Sequence, residues 1–501
     1  MKRPTLLGTM DVRTICRLAP RAAFSLVVII LAGCSFSDLK PRAVLVEPAD
    51  SQQTLADSPI PLSPAVWPSQ RWWSSFKDAQ LDALIEEALA GSPTLRAASA
   101  RVHQAGAAQA LAGAPLLPHA EVNLSTTRER FSANGTTPSP VKGTWQNVDQ
   151  GTLNLSYELD FWGKNRSGLD AAIGRRRAVE VDERAASMML SASVVQTYIA
   201  LQNTWEQLDV AQRLLAQQEQ IASLTQQRFK AELDTQIDIK QSQASLPASR
   251  ANIAALKEAI ELNQNKLASL LGKGPDRGRT ITRPHLTSNS SVVLPSDLPA
   301  ELIGHRPDVV AQRWRVEAAG HEIDVAKARF YPNVNLTAFI GFQSLGLDTF
   351  TQHSSRILGF SPAISLPIFE GGQLRANLDA QDAAYDLAVE NYSQTVVDAL
   401  HDIADQLSSL RWLKERMAQQ NEAVTTAQAA ADLVGKRYAA GLATYLQVLS
   451  TQNATLAEQR QLVDLKSRAL SLQAGLSRAL GGGYTPLIPT PDNSTPSLAG
   501  K

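Results

Sequence analysis

The alternation of apolar and polar positions follows two periods in this chain, and they occur in a fixed order, twice. From Gly163 to Phe229 there is no proline, and Val194, Leu201, Leu208 and Leu215 recur at seven-residue steps. A seven-residue apolar step is the seam of a coiled coil rather than the broader face of a globular helix. One helix through that run would be roughly 100 Å long at ~1.5 Å per residue. A turn at 230–235 is followed by a returning helix to Leu271, with Ile239, Leu246, Ile253, Ile260 and Leu267 at the same step and Pro247 expected to bend it locally. A second long run, Gly372 to Tyr438, carries Val389, Val396, Ile403, Leu410 and Met417, and its return carries Leu449, Leu456, Val463 and Leu470. The predicted hairpins are 163–271 and 372–481.

Before each hairpin the period shortens to two. Leu153, Leu155, Tyr157, Leu159 and Phe161 alternate with Thr152, Asn154, Ser156, Glu158 and Asp160. Val334, Leu336, Ala338 and Ile340 alternate with Asn335, Thr337, Phe339 and Gly341. The predicted strands are about 119–131, 151–161, 333–343 and 358–369. About ten residues of apolar/polar alternation suit a tilted membrane strand with its polar face inward. An edge hairpin of a water-soluble sheet has the same pattern. The order recurs as a repeat: Ser92-Pro93 and Arg306-Pro307 open helices, and Pro118 and Pro332 close them at equal spacing. The domains read as 71–271 and 300–481, joined by a Gly-, Pro- and Ser-rich linker at 272–299 and followed by a flexible tail at 482–501.

Four strands cannot close a barrel, and an open sheet edge in lipid leaves backbone groups without partners at several kcal/mol each. Strands in a membrane therefore require several copies of the chain. Two copies give eight strands, an interior filled by side chains; three give twelve and leave room for a pore. The helical rods would then hang into the periplasm, packed on their seven-residue seams as a second cylinder.

The N-terminal segment fits this location. Lys2, Arg3, Arg13, Arg17 and Arg21 precede an apolar stretch from Ala22 to Leu31, too short for a permanent membrane helix. Leu31-Ala32-Gly33-Cys34 resembles a bacterial lipobox, which implies removal of 1–33, a diacylglycerol on the Cys34 thiol and an acyl chain on its amine. Ser35 after the cysteine favours the outer membrane. Residues 34–70, dotted with prolines, read as the acylated tether.

Composition removes other classes. Lys+Arg and Asp+Glu both total 48, so no charge excess points to nucleic acid. Two cysteines, Cys16 and Cys34, give no disulfide framework. No P-loop, zinc, redox or nucleophile-elbow motif occurs, and the seven histidines do not fall at ligand spacing. Catalytic residues, metal and cofactor are expected to be absent, and the chain is read as no enzyme. Phe161-Trp162 and Phe330-Tyr331 are candidates for an interfacial aromatic belt.

Several motifs in order resemble the TolC/OprM-type outer membrane factors, in their lipoprotein branch. They are Gln70-Arg-Trp-Trp-Ser-Ser-Phe-Lys-Asp-Ala-Gln-Leu, Arg306-Pro307-Asp308, Phe330-Tyr331-Pro332, Leu366-Pro-Ile-Phe-Glu-Gly-Gly372 and Arg437-Tyr438-x-x-Gly441. The resemblance implies a mainly α fold: a homotrimeric α-helical tunnel continuous with a 12-stranded β-barrel. It also implies a role as the outer-membrane exit of a tripartite drug efflux system, with a periplasmic adaptor and an inner-membrane transporter as partners. A duct of the same fold for type I protein secretion is the alternative, and a coiled-coil scaffold without a channel is a third reading. Residue by residue, the resemblance assigns adaptor-contacting tips to Arg228, Glu232, Leu233 and Thr235 in the first hairpin. In the second it assigns them to Arg437, Gly441, Leu442 and Thr444. Glu232 stands where the family has glycine, which puts the first turn's geometry in question. Asp432 falls near the acidic ring of the family's periplasmic gate.

Overall fold

A computed structural model describes residues 43–44, 62–63, 67–137, 139–287, 294–295 and 304–485. The chain divides into two units, Met1–Val44 and Leu45–Lys501, and the described helices and strands all belong to the second. Cys34, the signal segment and most of the tether lie outside the described residues.

The order of elements is β1 (Leu62–Ser63), α1 (Ala79–Gly91), α2 (Pro93–Gly113), β2 (His119–Arg130), β3 (Trp145–Leu159), α3 (Lys164–Lys230) and α4 (Gln236–Leu270). It continues with α5 (Pro275–Arg279), β4 (Leu294–Pro295), α6 (Pro307–Ala328), β5 (Asn333–Leu345), β6 (Arg356–Ser365), α7 (Gln373–Ala439) and α8 (Tyr445–Ala479). The two long helices have 67 residues each and the two return helices 35 each. The repeat thus holds without insertion from Lys164 to Leu270 and from Gln373 to Ala479. Pro247 lies inside α4, which continues through it.

Local chemistry sets the element ends. Asp78 caps α1, its Oδ1 accepting from the Gln80 and Leu81 amides at 2.9 and 3.1 Å. Ser92 caps α2, with Pro93 at the first position, where the missing N–H costs nothing. Asp160 accepts from the Asn165 and Arg166 amides at 3.2 and 2.9 Å and joins β3 to the start of α3.

The four long strands form one sheet of order β2-β3-β5-β6, antiparallel throughout. The register collects the apolar residues on one face. Val122, Leu153, Ile340 and Leu358 form one row, and Ala120, Leu155, Ala338 and Phe360 the next. The polar face includes the row His119, Ser156, Thr337 and Ser361. Phe339 lies on that face because Gly359 opposite it has no side chain: a Cβ there would meet the Phe339 ring at 2.4 Å. No described helix is long and apolar enough to cross a membrane.

Two strand ends differ from the sequence expectation. β3 begins at Trp145 rather than near 151, because Trp145–Gln150, although mostly polar, pair with Ser125–Arg130 of β2. β6 ends at Ser365 rather than 369, where Pro367 cannot donate to a ladder. Pro362 is tolerated within β6 because that strand lies at the sheet edge.

The main core lies where the helices meet the N-terminal signature. Trp72, Trp73, Phe76, Leu81, Leu84 and Ile85 pack on Val194, Tyr198, Leu201 and Leu208 of α3. The segment read as a linker joins this core: Ile281 and Leu286 are buried in it, and Arg283 forms an ion pair with Asp209 at 2.6 Å. β1, from the tether, pairs in parallel with β4. The first residues of the expected tail are also fitted, since a Cβ at Gly483 would meet the Ser69 carbonyl at 2.2 Å. Arg306 of the Arg-Pro-Asp motif is buried. It pairs with Asp308 at 2.6 Å and Asp402 at 3.3 Å and donates to the Ala479 carbonyl, tying α6, α7 and α8 at one point. Burial opposes its charge, but the two carboxylates outweigh that and raise its pKa.

Candidate functional site at the hairpin tips

Both hairpins turn with the same backbone. In the first, the Leu233 amide donates to the Arg228 carbonyl at 2.9 Å; in the second, Leu442 donates to Arg437 at 2.8 Å. Each turn needs one left-handed residue. Gly441 supplies it with φ 79°, and Glu232 adopts φ 66° at the equivalent place. The glutamate therefore leaves the turn unchanged and takes on the steric cost of a Cβ in that region. Thr235 and Thr444 each start the return helix with a reciprocal capping box, to Asp238 and Gln447. Leu233 and Leu442 are 63% and 68% exposed at the two apices.

The side chains at the tips are not alike. Arg228 is 8% exposed. Its Nε and one terminal nitrogen donate to Asp234 at 2.9 and 3.0 Å, and the other donates to the Tyr438 carbonyl at 2.8 Å. Its guanidinium lies 4.6 Å from the centre of the Tyr438 ring. The Tyr438 hydroxyl reaches Asp234 at 2.6 Å and Thr225 at 2.7 Å. Arg228, Asp234 and Thr225 belong to the first hairpin and Tyr438 to the second, so the cluster joins the two. Tyr438, Tyr445 and Val448 form a small apolar core beneath it with Ile221 and Leu224.

The electrostatics follow from the geometry. Burial disfavours the Asp234 anion, but hydrogen bonds from Arg228 and Tyr438 and the Arg228 charge outweigh it and hold the carboxyl below its ordinary value. The Asp234 hydrogen bonds raise the pKa of Arg228 against the opposing effect of burial. Burial first, then the Asp234 anion, pushes the Tyr438 hydroxyl up to about 12, so it is a neutral donor near neutral pH.

Among the residues assigned from sequence, Arg228 is thus an internal support of the tip rather than a presented surface. Arg437, its equivalent, is exposed and donates to the Leu442 carbonyl at 3.2 Å. Asp432 is exposed on α7 and accepts from Gln428 at 3.0 Å. Sequence reasoning missed Asp234, Tyr438 and Thr225 as members of the site. Signals were available where the repeat breaks at the tips: Asp234 stands where the second hairpin has Ala443, and Tyr438 where the first has Phe229.

The other candidate place is the strand–helix junction. Trp162 stacks on Tyr331 with ring centres 4.7 Å apart, and its Nε1 donates to the Pro332 carbonyl at 2.8 Å. Phe161 and Trp162 remain more than half exposed. Among the described residues no group of His, Cys, Asp and Glu could hold a metal ion.

The family model for outer membrane efflux proteins matches residues 84–273 and 298–482, one match for each repeat. The chain is 38% identical over 391 residues to the fusaric acid resistance protein FusA of Burkholderia cepacia, covering 76% of this chain and 71% of that protein. It is 33% identical over 470 residues to the multidrug resistance outer membrane protein MdtP of Escherichia coli K12, covering 91% and 94%. Among solved structures, the outer membrane protein VceC of Vibrio cholerae is similar with a TM-score of 0.79 and 39% identity, over 83% of this chain and all of that one. Repeat, sheet and paired hairpins agree with these matches, and the chain belongs to the outer membrane efflux protein family.

Proposed function

We propose that this chain is the outer-membrane exit duct of a tripartite efflux system, conducting small toxic molecules delivered by an inner-membrane transporter through a periplasmic adaptor. One observation carries the channel reading. The four-stranded sheet is apolar on one face, polar on the other, and open at both edges, β2 and β6. Three copies joined edge to edge give a twelve-stranded barrel wide enough for a pore, and leave no edge in lipid. The names of FusA and MdtP support drug efflux over protein secretion. In a strain lacking the gene, restored drug tolerance upon re-expression supports this reading; restored export of a protein with no change in tolerance overturns it in favour of the secretion duct. Unheated protein should migrate in SDS as a trimer and heated protein as a monomer.

In this duct Cys34 carries the lipid anchor, and Cys34→Ser should abolish labelling by radioactive palmitate. Leu233, Leu442, Arg437 and the capped ends at Thr235 and Thr444 face the adaptor, with Arg228 and Glu232 shaping the turn behind them. The Arg228–Asp234–Tyr438 cluster holds the two hairpins together at the periplasmic end and so keeps the duct narrow at rest. Asp432, repeated in three copies, adds a ring of negative charge that attracts cations there. Asp432→Ala should weaken cation block in single-channel recordings, and an unchanged block removes Asp432 from the gate.

A further inference from the structure

Within one chain the two hairpins meet along α3 and α8, and the polar contacts across that seam are specific. Gln196 donates to the Ser471 carbonyl at 3.1 Å, Asn203 to Asp464 at 3.0 Å, and Gln207 to the Arg460 carbonyl at 3.1 Å. The helices of the two repeats match in length without insertion, so every position here has a counterpart when Lys164 is set on Gln373 and Gln236 on Tyr445. Gln196, Asn203 and Gln207 of α3 correspond to Asp405, Trp412 and Arg416 of α7. Ser471, Asp464 and Arg460 of α8 correspond to Leu262, Ala255 and Ala251 of α4.

All six counterparts are exposed in the single chain. Trp412 is 62% exposed and Leu262 60%. Both stand roughly seven turns from their tip, hence at one height. They lie on the two helices that each have one hairpin partner, since the packing order is α4, α3, α8, α7. The sheet and the upper helices show the same arrangement: one free edge from the first repeat (β2, α2) and one from the second (β6, α7).

We infer that Trp412 of one copy seats over Ala251 and Ala255 of the next, with Leu262 beside it, as the apolar anchor of the seam between copies. The inference rests on the proposed ring of like chains. The seam repeats the geometry of the α3–α8 seam with different chemistry. An Asn–Asp pair of middling size is replaced by a large residue facing a small one, which fills the same space. A head-to-tail contact of this kind joins unlike surfaces and closes as a ring. The occupant is a second copy because the vacant faces are the counterparts of faces that already fit each other within the chain.

The test places the photocrosslinker p-benzoylphenylalanine at position 412 or at position 203 of the full-length protein. Irradiation of the 412 variant should give species of two and three chain masses after heating in SDS, with crosslinked peptides mapping to 251–262. Irradiation of the 203 variant should give crosslinks at the mass of one chain, mapping to α8. A trimer in unheated SDS with no interchain product from position 412, or with products mapping elsewhere, overturns the seam and leaves the ring standing. A single-chain mass by light scattering in detergent overturns both. As a second readout, Ala255→Trp should lower the temperature at which the trimer dissociates in SDS at unchanged helical content, and adding Trp412→Ala should restore part of the loss. An unchanged dissociation temperature in Ala255→Trp overturns the proposal.

Discussion

The two hairpin tips share a backbone and differ in what holds it. The second tip relies on Gly441, which meets the left-handed turn without steric cost, and leaves Arg437 in solvent. The first places Glu232 in the same conformation and draws its arginine inside against Asp234 and Tyr438. The more costly turn is the one with the buried ion pair, and that pair also ties the first tip to the second. The two turns share one backbone; the first carries the contact between hairpins and the second presents a surface.

The largest test of this difference is removal of the carboxylate. Asp234→Ala leaves the Arg228 guanidinium buried without its counter-ion, and breaking a buried pair by deleting one partner costs about 3–5 kcal/mol. Arg437→Ala, at an exposed site, should stay within about 0.5 kcal/mol. Hydrogen exchange at amides 225–238 and 434–447 reads both; equal protection in the two variants would remove the asymmetry. Next in size are the turn residues. Gly441→Ala should destabilise the second tip by about 1–2 kcal/mol, and Glu232→Gly should stabilise the first by a similar or smaller amount, because only a side chain is disfavoured there. Opposite signs in denaturant melts of the two variants are expected, and like signs would contradict equal turn geometry. The caps should show no asymmetry: Thr235→Ala and Thr444→Ala each lose about 1 kcal/mol.

Smallest near neutral pH is the proton linkage. The Asp234 carboxyl sits below its ordinary value in the folded tip. Its contribution is therefore complete above the unfolded carboxylate value of about 3.9, and is lost as pH falls through the lower folded value. Exchange protection of the first tip should be flat from neutrality down to about pH 4 and fall below it, and Asp234→Asn should remove that fall.

Much of this architecture was legible in the sequence. The seven-residue steps at Val194–Leu215 and Val389–Met417 placed both long helices within a residue or two of their ends, since proline is absent from both runs and the few glycines do not interrupt them. Alternation placed all four long strands and their apolar faces. The strand start at Trp145 was not legible, because there the ladder is set by a neighbouring strand and not by local hydropathy. The packed course of 272–287 was hidden for a related reason: glycine- and proline-rich chain reads as linker unless the core that receives Ile281 and Leu286 is known. At the tips, the equivalent turn positions of Arg228, Leu233, Thr235 and their counterparts were legible from motif and repeat. The fastening cluster was not, because Tyr438 lies more than two hundred positions from its partners Asp234 and Thr225. In sequence it is recorded in breaks of the repeat, Asp234 against Ala443 and Tyr438 against Phe229.

A duct fastened at its periplasmic end by the first tip should reveal both properties in single-channel conductance across planar bilayers, with wild type recorded beside Asp234→Ala. Small-conductance channels are expected from the wild type, and a several-fold larger conductance once Asp234 is gone. Channels of equal size from the two proteins would rule out the fastening, and a correctly folded trimer that gives no channels at all would rule out the duct.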